Sequence, residues 1–170
     1  MNFFSLIKKR SSIRAYKERP LSEEKVEKLL NAANSAPSAG NLQSYRILVI
    51  KSEEVKERLV KAAHGQKFIS QAPIVFAFLQ DEARSRDRYG DRGELYSLQD
   101  GTIAATYLQL AAVEMGLGSC WVGAYDDDQV SEILSTQKSP LSLIPVGYPA
   151  RQSGNDSARR ELEEIVQFIE

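Results

Sequence analysis

The sequence predicts an α/β or α+β domain, and three observations carry the prediction. Segments with helical apolar spacing alternate with about four or five short runs of strand character. Residues 73–79 (PIVFAFL) are a continuous apolar run of strand length, as expected of a strand covered on both faces. Residues 103–113 are apolar or small on nearly every side of a helix, as expected of a helix buried all round.

In chain order, residues 3–9 read as a short helix and 10–16 as an extended segment. Ser22 is an N-cap, with Glu23 and Glu24 in the first turn, where the helix dipole favours anions. Val26, Leu29, Leu30 and Ala33 then recur at helical spacing. Pro37-Ser38-Ala39-Gly40-Asn41 is turn chemistry. Residues 45–50 (YRILVI) predict a strand. Ser52 caps a second helix with Val55, Leu59, Val60 and Ala63 on one face. The charged stretch 81–93 reads as an exposed loop or short helix, and 96–115 as a long helix. A strand at 119–123, a helix at 126–134 and a last strand at 141–146 follow, ended by Gly147-Tyr148-Pro149. Residues 162–169 have no evident partner within one subunit. Together with the surplus apolar face of the long helix, they predict contact with a second subunit.

Composition narrows the function. The chain has 170 residues, enough for one domain with a real core. With 42% apolar and 26% charged residues it is ordinary globular sequence. A net charge of -1 argues against a dedicated nucleic-acid binder. Cys120 and His64 are the sole residues of their types, so no intrachain disulfide forms and a structural zinc site, which takes about four such ligands, has too few. The apolar stretch of MNFFSLIKKR is too short for a signal peptide, and its basic residues come after it. No apolar run reaches the ~18 residues of a membrane helix. A cytoplasmic protein is expected, with the sequon Asn155-Asp156-Ser157 a chance match. Gly116-Leu117-Gly118 follows a helix and opens a strand, the reverse of a dinucleotide fingerprint, so it reads as a helix C-cap and turn.

Four segments carry possible chemistry, each with a plainer alternative. On an extended segment Arg10, Ser12 and Arg14 point to one face. Two guanidiniums and a hydroxyl suit a phosphate, or the stretch is simply solvated. In Ala36-Pro37-Ser38-Ala39-Gly40-Asn41-Leu42-Gln43, small residues let backbone amides approach a flat ligand. There Asn41 and Gln43 offer both donors and acceptors; the alternative is a connecting loop. The run 116–123 either places a backbone N–H against a cofactor nitrogen or is a buried strand with Trp121 as core. Cys120 reads as a small inert hydrophobe. Arg151, Arg159 and Arg160 form a phosphate anchor or a surface cluster. His64 reads as the polar end of a helix.

The order of these pieces resembles the nitroreductase family of FMN enzymes over nearly the whole chain. The matching pieces are Arg10-Ser11-Ser12-Ile13-Arg14, the 36–43 segment, and Ala72-Pro73 before a buried strand. They continue with the 100–115 helix running into Gly116-Leu117-Gly118-Ser119-Cys120-Trp121-Val122-Gly123. Ile144-Pro145-Val146-Gly147-Tyr148-Pro149 comes next, followed by Leu162-Glu163-Glu164-Ile165-Val166. The resemblance implies an α+β fold with a central, mostly antiparallel sheet flanked by helices. It also implies an intimate homodimer with FMN at the subunit interface. Arg10 and Ser12 then hold the phosphate, with Arg159, and Ser11 belongs to the cofactor-binding segment. Arg14 lies near the N1–C2=O edge of the ring. Pro37, Ser38, Asn41 and Gln43 approach the ring, from the other subunit. Gln66 or Lys67 adds a polar contact, and Val122 and the Gly123 N–H face flavin N5.

The implied activity passes hydride from NADH or NADPH through FMN to a small-molecule acceptor, a nitroaromatic or quinone, by ping-pong turnover. No catalytic side chain is required, because the cofactor carries the redox chemistry. The alternatives are a different FMN reaction on the same fold (dehydrogenation, reductive dehalogenation or flavin breakdown) or a flavin-binding module without turnover. The chain departs from the family pattern after Gly147-Tyr148-Pro149, where Ser157 stands in place of a first basic residue. The excursion over the substrate pocket is also shortened, to 82–94.

Overall fold

The computed structural model describes residues 2–151 and 158–169. Ser157 and the sequon therefore lie outside the described residues. Among those residues, strands β1 (Tyr45–Ile50), β2 (Ile74–Gln80), β3 (Gly118–Ser119) and β4 (Pro140–Gly147) form one antiparallel sheet in the order β1-β2-β4-β3. Seven helices accompany it: α1 (Phe3–Lys9), α2 (Glu23–Asn34), α3 (Glu53–Ala62), α4 (Phe68–Gln71), α5 (Glu82–Tyr89), α6 (Arg92–Glu114) and α7 (Asp127–Ile133).

Strand alternation builds two cores on β2. Ile74, Phe76 and Phe78 meet Val26, Leu29 and Ala33 of α2 and Ala104, Ala105, Leu108 and Ala112 of α6. Val75 and Ala77 point the opposite way and meet Leu59 and Val60 of α3 and Val130 of α7. Helix, sheet and helix thus stack in three layers, and β2 is buried on both faces as its apolar run requires. Burying each large side chain in these cores stabilises the fold by about 1.5–3 kcal/mol.

The helix ends follow local chemistry. The side chains of Ser22, Ser52 and Asp126 accept from the backbone N–H of Lys25 (3.4 Å), Val55 (3.3 Å) and Gln129 (2.9 Å). Helix α6 closes with Leu117 N–H on Ala112 O (2.8 Å) and Gly116 N–H on Val113 O (3.0 Å). With Gly116 at φ 71° this is a Schellman cap, the C-cap expected there.

Four features differ from expectation or resolve it. Residues 81–93 contain helix α5, and α6 begins at Arg92 rather than at residue 96. Helix α4 gave no sequence signal, since one turn is too short to show a period. It is held by the buried Lys56, whose ammonium donates to Ala72 O (2.7 Å) and Ser70 O (3.4 Å). The strand expected at 119–123 pairs continuously only at Gly118–Ser119 and resumes at Val122 opposite Leu143. Between them the Cys120 N–H reaches Pro145 O at 3.3 Å, but proline has no N–H to return, so the ladder breaks there.

Among the described residues no helix is long and apolar enough to cross a membrane. Large apolar side chains remain exposed on α6 (Leu95, Leu98, Tyr107), on α1 (Phe3, Phe4, Ile7) and throughout 162–169.

Candidate active site

The 10–16 segment is extended, as its spacing predicts. The Arg10 N–H closes α1 on Leu6 O (3.1 Å), and Ile13 N–H then donates to Ser119 O (2.9 Å). Ile13 and Tyr16 are the buried residues of this stretch, and Ile13 lies against Gly118, where a Cβ would stand 2.5 Å from Ile13 Cγ1. Glycine at 118 therefore allows the segment to sit down on β3. With Ile13 turned inward, Arg10, Ser12 and Arg14 gather on the other side, around Cys120. Burial pushes the Cys120 thiol up, while Arg14, Ser12 and Arg10 act in the opposite direction without cancelling it. A neutral thiol that also hydrogen-bonds to Trp121 O (3.6 Å) makes a poor nucleophile. The Arg14 guanidinium lies 5.9 Å from the centroid of the Phe68 ring, so α4 supports it. Ser11 is placed apart from this group. It opens with Lys9, Lys17 and Arg151 onto a groove of about 510 Å³.

Further along the same chain, Val122 exchanges both backbone hydrogen bonds with Leu143 at 3.0 Å. Gly123 leaves the ladder. It is exposed, and among the described residues its N–H has no partner. Three residue steps of extended chain separate it from Cys120, a span of about 10 Å. The Gln66 amide fastens the neighbouring turn by donating to Ala63 O (3.1 Å) and Ala124 O (3.0 Å).

The 36–43 segment forms a second, separate cradle. Asp100, buried within α6, accepts from the N–H of Ala39 (2.8 Å) and of Ser44 (3.3 Å). Ser38 Oγ accepts from the backbone N–H and the side-chain amide of Gln43, each at 3.0 Å. Asn41 Oδ1 accepts from the same amide at 2.6 Å. Gln43 is thereby engaged inside the loop, while Pro37 and Asn41 stay exposed. Gly40, Asn41 and Gln43 all have positive φ, a conformation held by this network. Pro37, Ser38, Tyr96, Leu98 and Thr102 line an open cavity of about 740 Å³. The sequence reading gave no role to Asp100. A buried carboxylate in an otherwise apolar helix was the available signal, since buried carboxylates are rare unless paired.

The two cradles attach to different halves of α6. Asp100 holds the loop, whereas Gln109 Nε2 contacts Ser119 Oγ (3.3 Å) beside the arginine cluster. These anchor points are about 14 Å apart along the helix axis. Arg159 is exposed and has no ion pair among the described residues, whereas Arg160 pairs with Glu164 at 2.9 Å.

The model of the nitroreductase family matches residues 7–67 and 63–148. The chain belongs to the nitroreductase family. This nitroreductase-family chain is 32% identical over 188 residues to an NADH dehydrogenase of Thermus thermophilus, covering 93% of this chain and 91% of that protein. It is 30% identical over 169 residues to an FMN reductase (NADPH) of Bacillus subtilis, covering 90% and 68%. Among solved structures it superposes on the NfrA1 nitroreductase from B. subtilis with a TM-score of 0.89 at 28% identity, covering 98% of this chain and 73% of that one. The antiparallel sheet flanked by helices is the α+β nitroreductase fold that the sequence implied.

Proposed function

We propose that the chain acts as a homodimer that binds FMN between its subunits and passes hydride from NADH or NADPH to small acceptors such as nitroaromatics or quinones. The reaction class follows from the family: the protein is an NAD(P)H-dependent FMN oxidoreductase. FMN, when bound, supplies the ring that accepts and returns the hydride, chemistry that side chains do not provide.

The observation that carries the reading is the exposed Gly123 N–H, without a partner among the described residues, on the same segment that meets the Arg10–Ser12–Arg14 cluster. The residues fit a flavin mononucleotide. Arg10 and Ser12 hold the phosphate through charge-assisted hydrogen bonds, with Arg159 as a further anchor. Ser11, turned into the other groove, supports that segment rather than the phosphate. Arg14 serves the N1–C2=O edge, where a positive charge offsets negative charge on the reduced ring. The Gly123 N–H donates toward N5, Val122 flanks it, and Gln66 fixes the turn.

Pro37, Ser38 and Asn41 of the partner subunit complete the site, with Gln43 as the loop's internal brace. A two-fold axis near the middle of α6 sets the Asp100 half of one helix beside the Gln109 half of the other, which closes the separation of about 14 Å. It also covers Leu95, Leu98 and Tyr107.

Nicotinamide and acceptor then take turns in one pocket, and the test is kinetic. With the nicotinamide varied at several fixed concentrations of a benzoquinone or a nitrobenzene, double-reciprocal lines are expected to be parallel. Intersecting lines, or turnover with neither acceptor class, would contradict the proposed reaction.

A further inference from the structure

The short α5–α6 hairpin carries four arginines, and they are not equivalent. Arg86 is engaged by Glu82, Asp91 (3.3 Å) and Glu94 (2.8 Å). Arg84, Arg88 and Arg92 have no carboxylate partner among the described residues. They donate to neutral acceptors: Arg84 Nε to Leu42 O (2.6 Å), Arg88 Nη1 to Gly40 O (3.2 Å) and Arg92 Nε to Tyr96 Oη (2.9 Å). A guanidinium has five N–H donors, so most of each group stays available. Nor do nearby carboxylates neutralise them. Asp81 is held by Arg46 (3.2 Å) and Lys138 (2.6 Å), and Arg86 takes Glu82, Asp91 and Glu94. Asp87 is the one carboxylate of the hairpin without an ion pair among the described residues.

Two of these cations stand at the rim of the cavity lined by Pro37, Ser38 and Tyr96. Arg88 is anchored on Gly40, so close that a Cβ there would lie 2.7 Å from its Nη1. Arg92 is anchored on Tyr96, which lines the cavity itself. Tyr89 and Tyr96 pack edge to face with centroids 5.0 Å apart, and Arg88 and Arg92 lie 5.5 and 5.2 Å from their respective rings. Aromatic faces beside uncompensated guanidiniums suit a purine that carries a phosphate close by.

We propose that Arg88 and Arg92, with Arg84 behind them, bind the 2′-phosphate of NADPH and make this enzyme prefer NADPH to NADH. The proposal rests on the function argued above, in which Pro37, Ser38 and Asn41 reach the flavin of the partner subunit, so that a nicotinamide docked on that ring lies beside this hairpin. NADH presents a neutral hydroxyl where NADPH presents a phosphate dianion. A cationic rim therefore favours NADPH, whereas contacts to the pyrophosphate common to both donors do not discriminate.

The experiment is anaerobic stopped-flow reduction of the FMN-loaded dimer by each donor, for wild type, Arg88→Gln, Arg92→Gln and the double variant, with Arg86→Gln as control. The readout is the NADPH/NADH ratio of second-order reduction rates. Each guanidinium removed from the pair is expected to lower that ratio roughly tenfold, the scale of one charge-assisted contact. The NADPH rate should also fall more steeply with salt than the NADH rate. Arg86→Gln should keep the wild-type ratio, because its guanidinium is already engaged. Equal use of both donors by wild type would overturn the proposal. So would an equal slowing of both donors in the variants, which marks a displaced loop or a pyrophosphate contact. If neither donor reduces wild-type flavin, the proposed function fails as well, a result distinct from an unselective reduction.

Discussion

Leu98→Arg is expected to give monomers that have lost FMN. Leu98 is 44% exposed on an α6 stripe that includes Leu95, Thr102 and Thr106, and it borders the cavity beside Pro37 and Ser38. Under two-fold symmetry each substitution enters the interface twice. An unpaired charge held out of water costs several kcal/mol, so the dimer dissociation constant should rise by at least ~10³. In the proposed dimer Pro37, Ser38 and Asn41 reach the flavin of the other subunit, so flavin content should fall together with the dimer. Sedimentation velocity with simultaneous detection of protein and flavin absorbance reads both. A monomeric variant that keeps FMN at wild-type affinity would show that one chain completes the site.

The second large effect separates the two arginines of the 10–14 segment. Arg14→Gln should lower the flavin midpoint potential, because the proposed role sets its charge at the N1–C2=O edge, where it stabilises the reduced, anionic ring more than the oxidised one. A differential of ~1.4 kcal/mol corresponds to roughly 30 mV for a two-electron couple. Reduction by the nicotinamide should slow as well. Arg10→Gln should instead weaken FMN binding and leave the potential of the bound flavin nearly unchanged, since a phosphate contact is alike in both redox states. Spectroelectrochemistry of both variants at saturating FMN decides. If Arg10→Gln moves the potential and Arg14→Gln does not, the two roles are reversed.

Much of this site is legible in the sequence because its logic is local. Alternation along an extended strand suffices to put Arg10, Ser12 and Arg14 together, and the side chains of Ser22, Ser52 and Asp126 cap helices three residues away. Gly116 at a helix end needs only its own backbone freedom to make the C-cap. What could not be read depends on distant partners. Asp100 braces a loop 61 residues before it, and Pro145 breaks the strand at Cys120 from across the sheet. Helix α4 is fixed by Lys56 rather than by its own four residues. The same limit applies to the hairpin arginines. Their sequence shows charge, while the structure shows that, among the described residues, Arg86 is engaged by carboxylates and Arg88 and Arg92 are not.

Whether this chain binds FMN and takes hydride from a reduced nicotinamide is tested most directly by anaerobic reductive titration. The protein is loaded with FMN, freed of excess by gel filtration, and titrated with NADPH and with NADH while the visible flavin absorbance is followed. One FMN per chain and full bleaching by about one equivalent of nicotinamide are expected, with the colour restored by a quinone. A protein that stays yellow under excess of both donors, or that retains no FMN through the column, would contradict it.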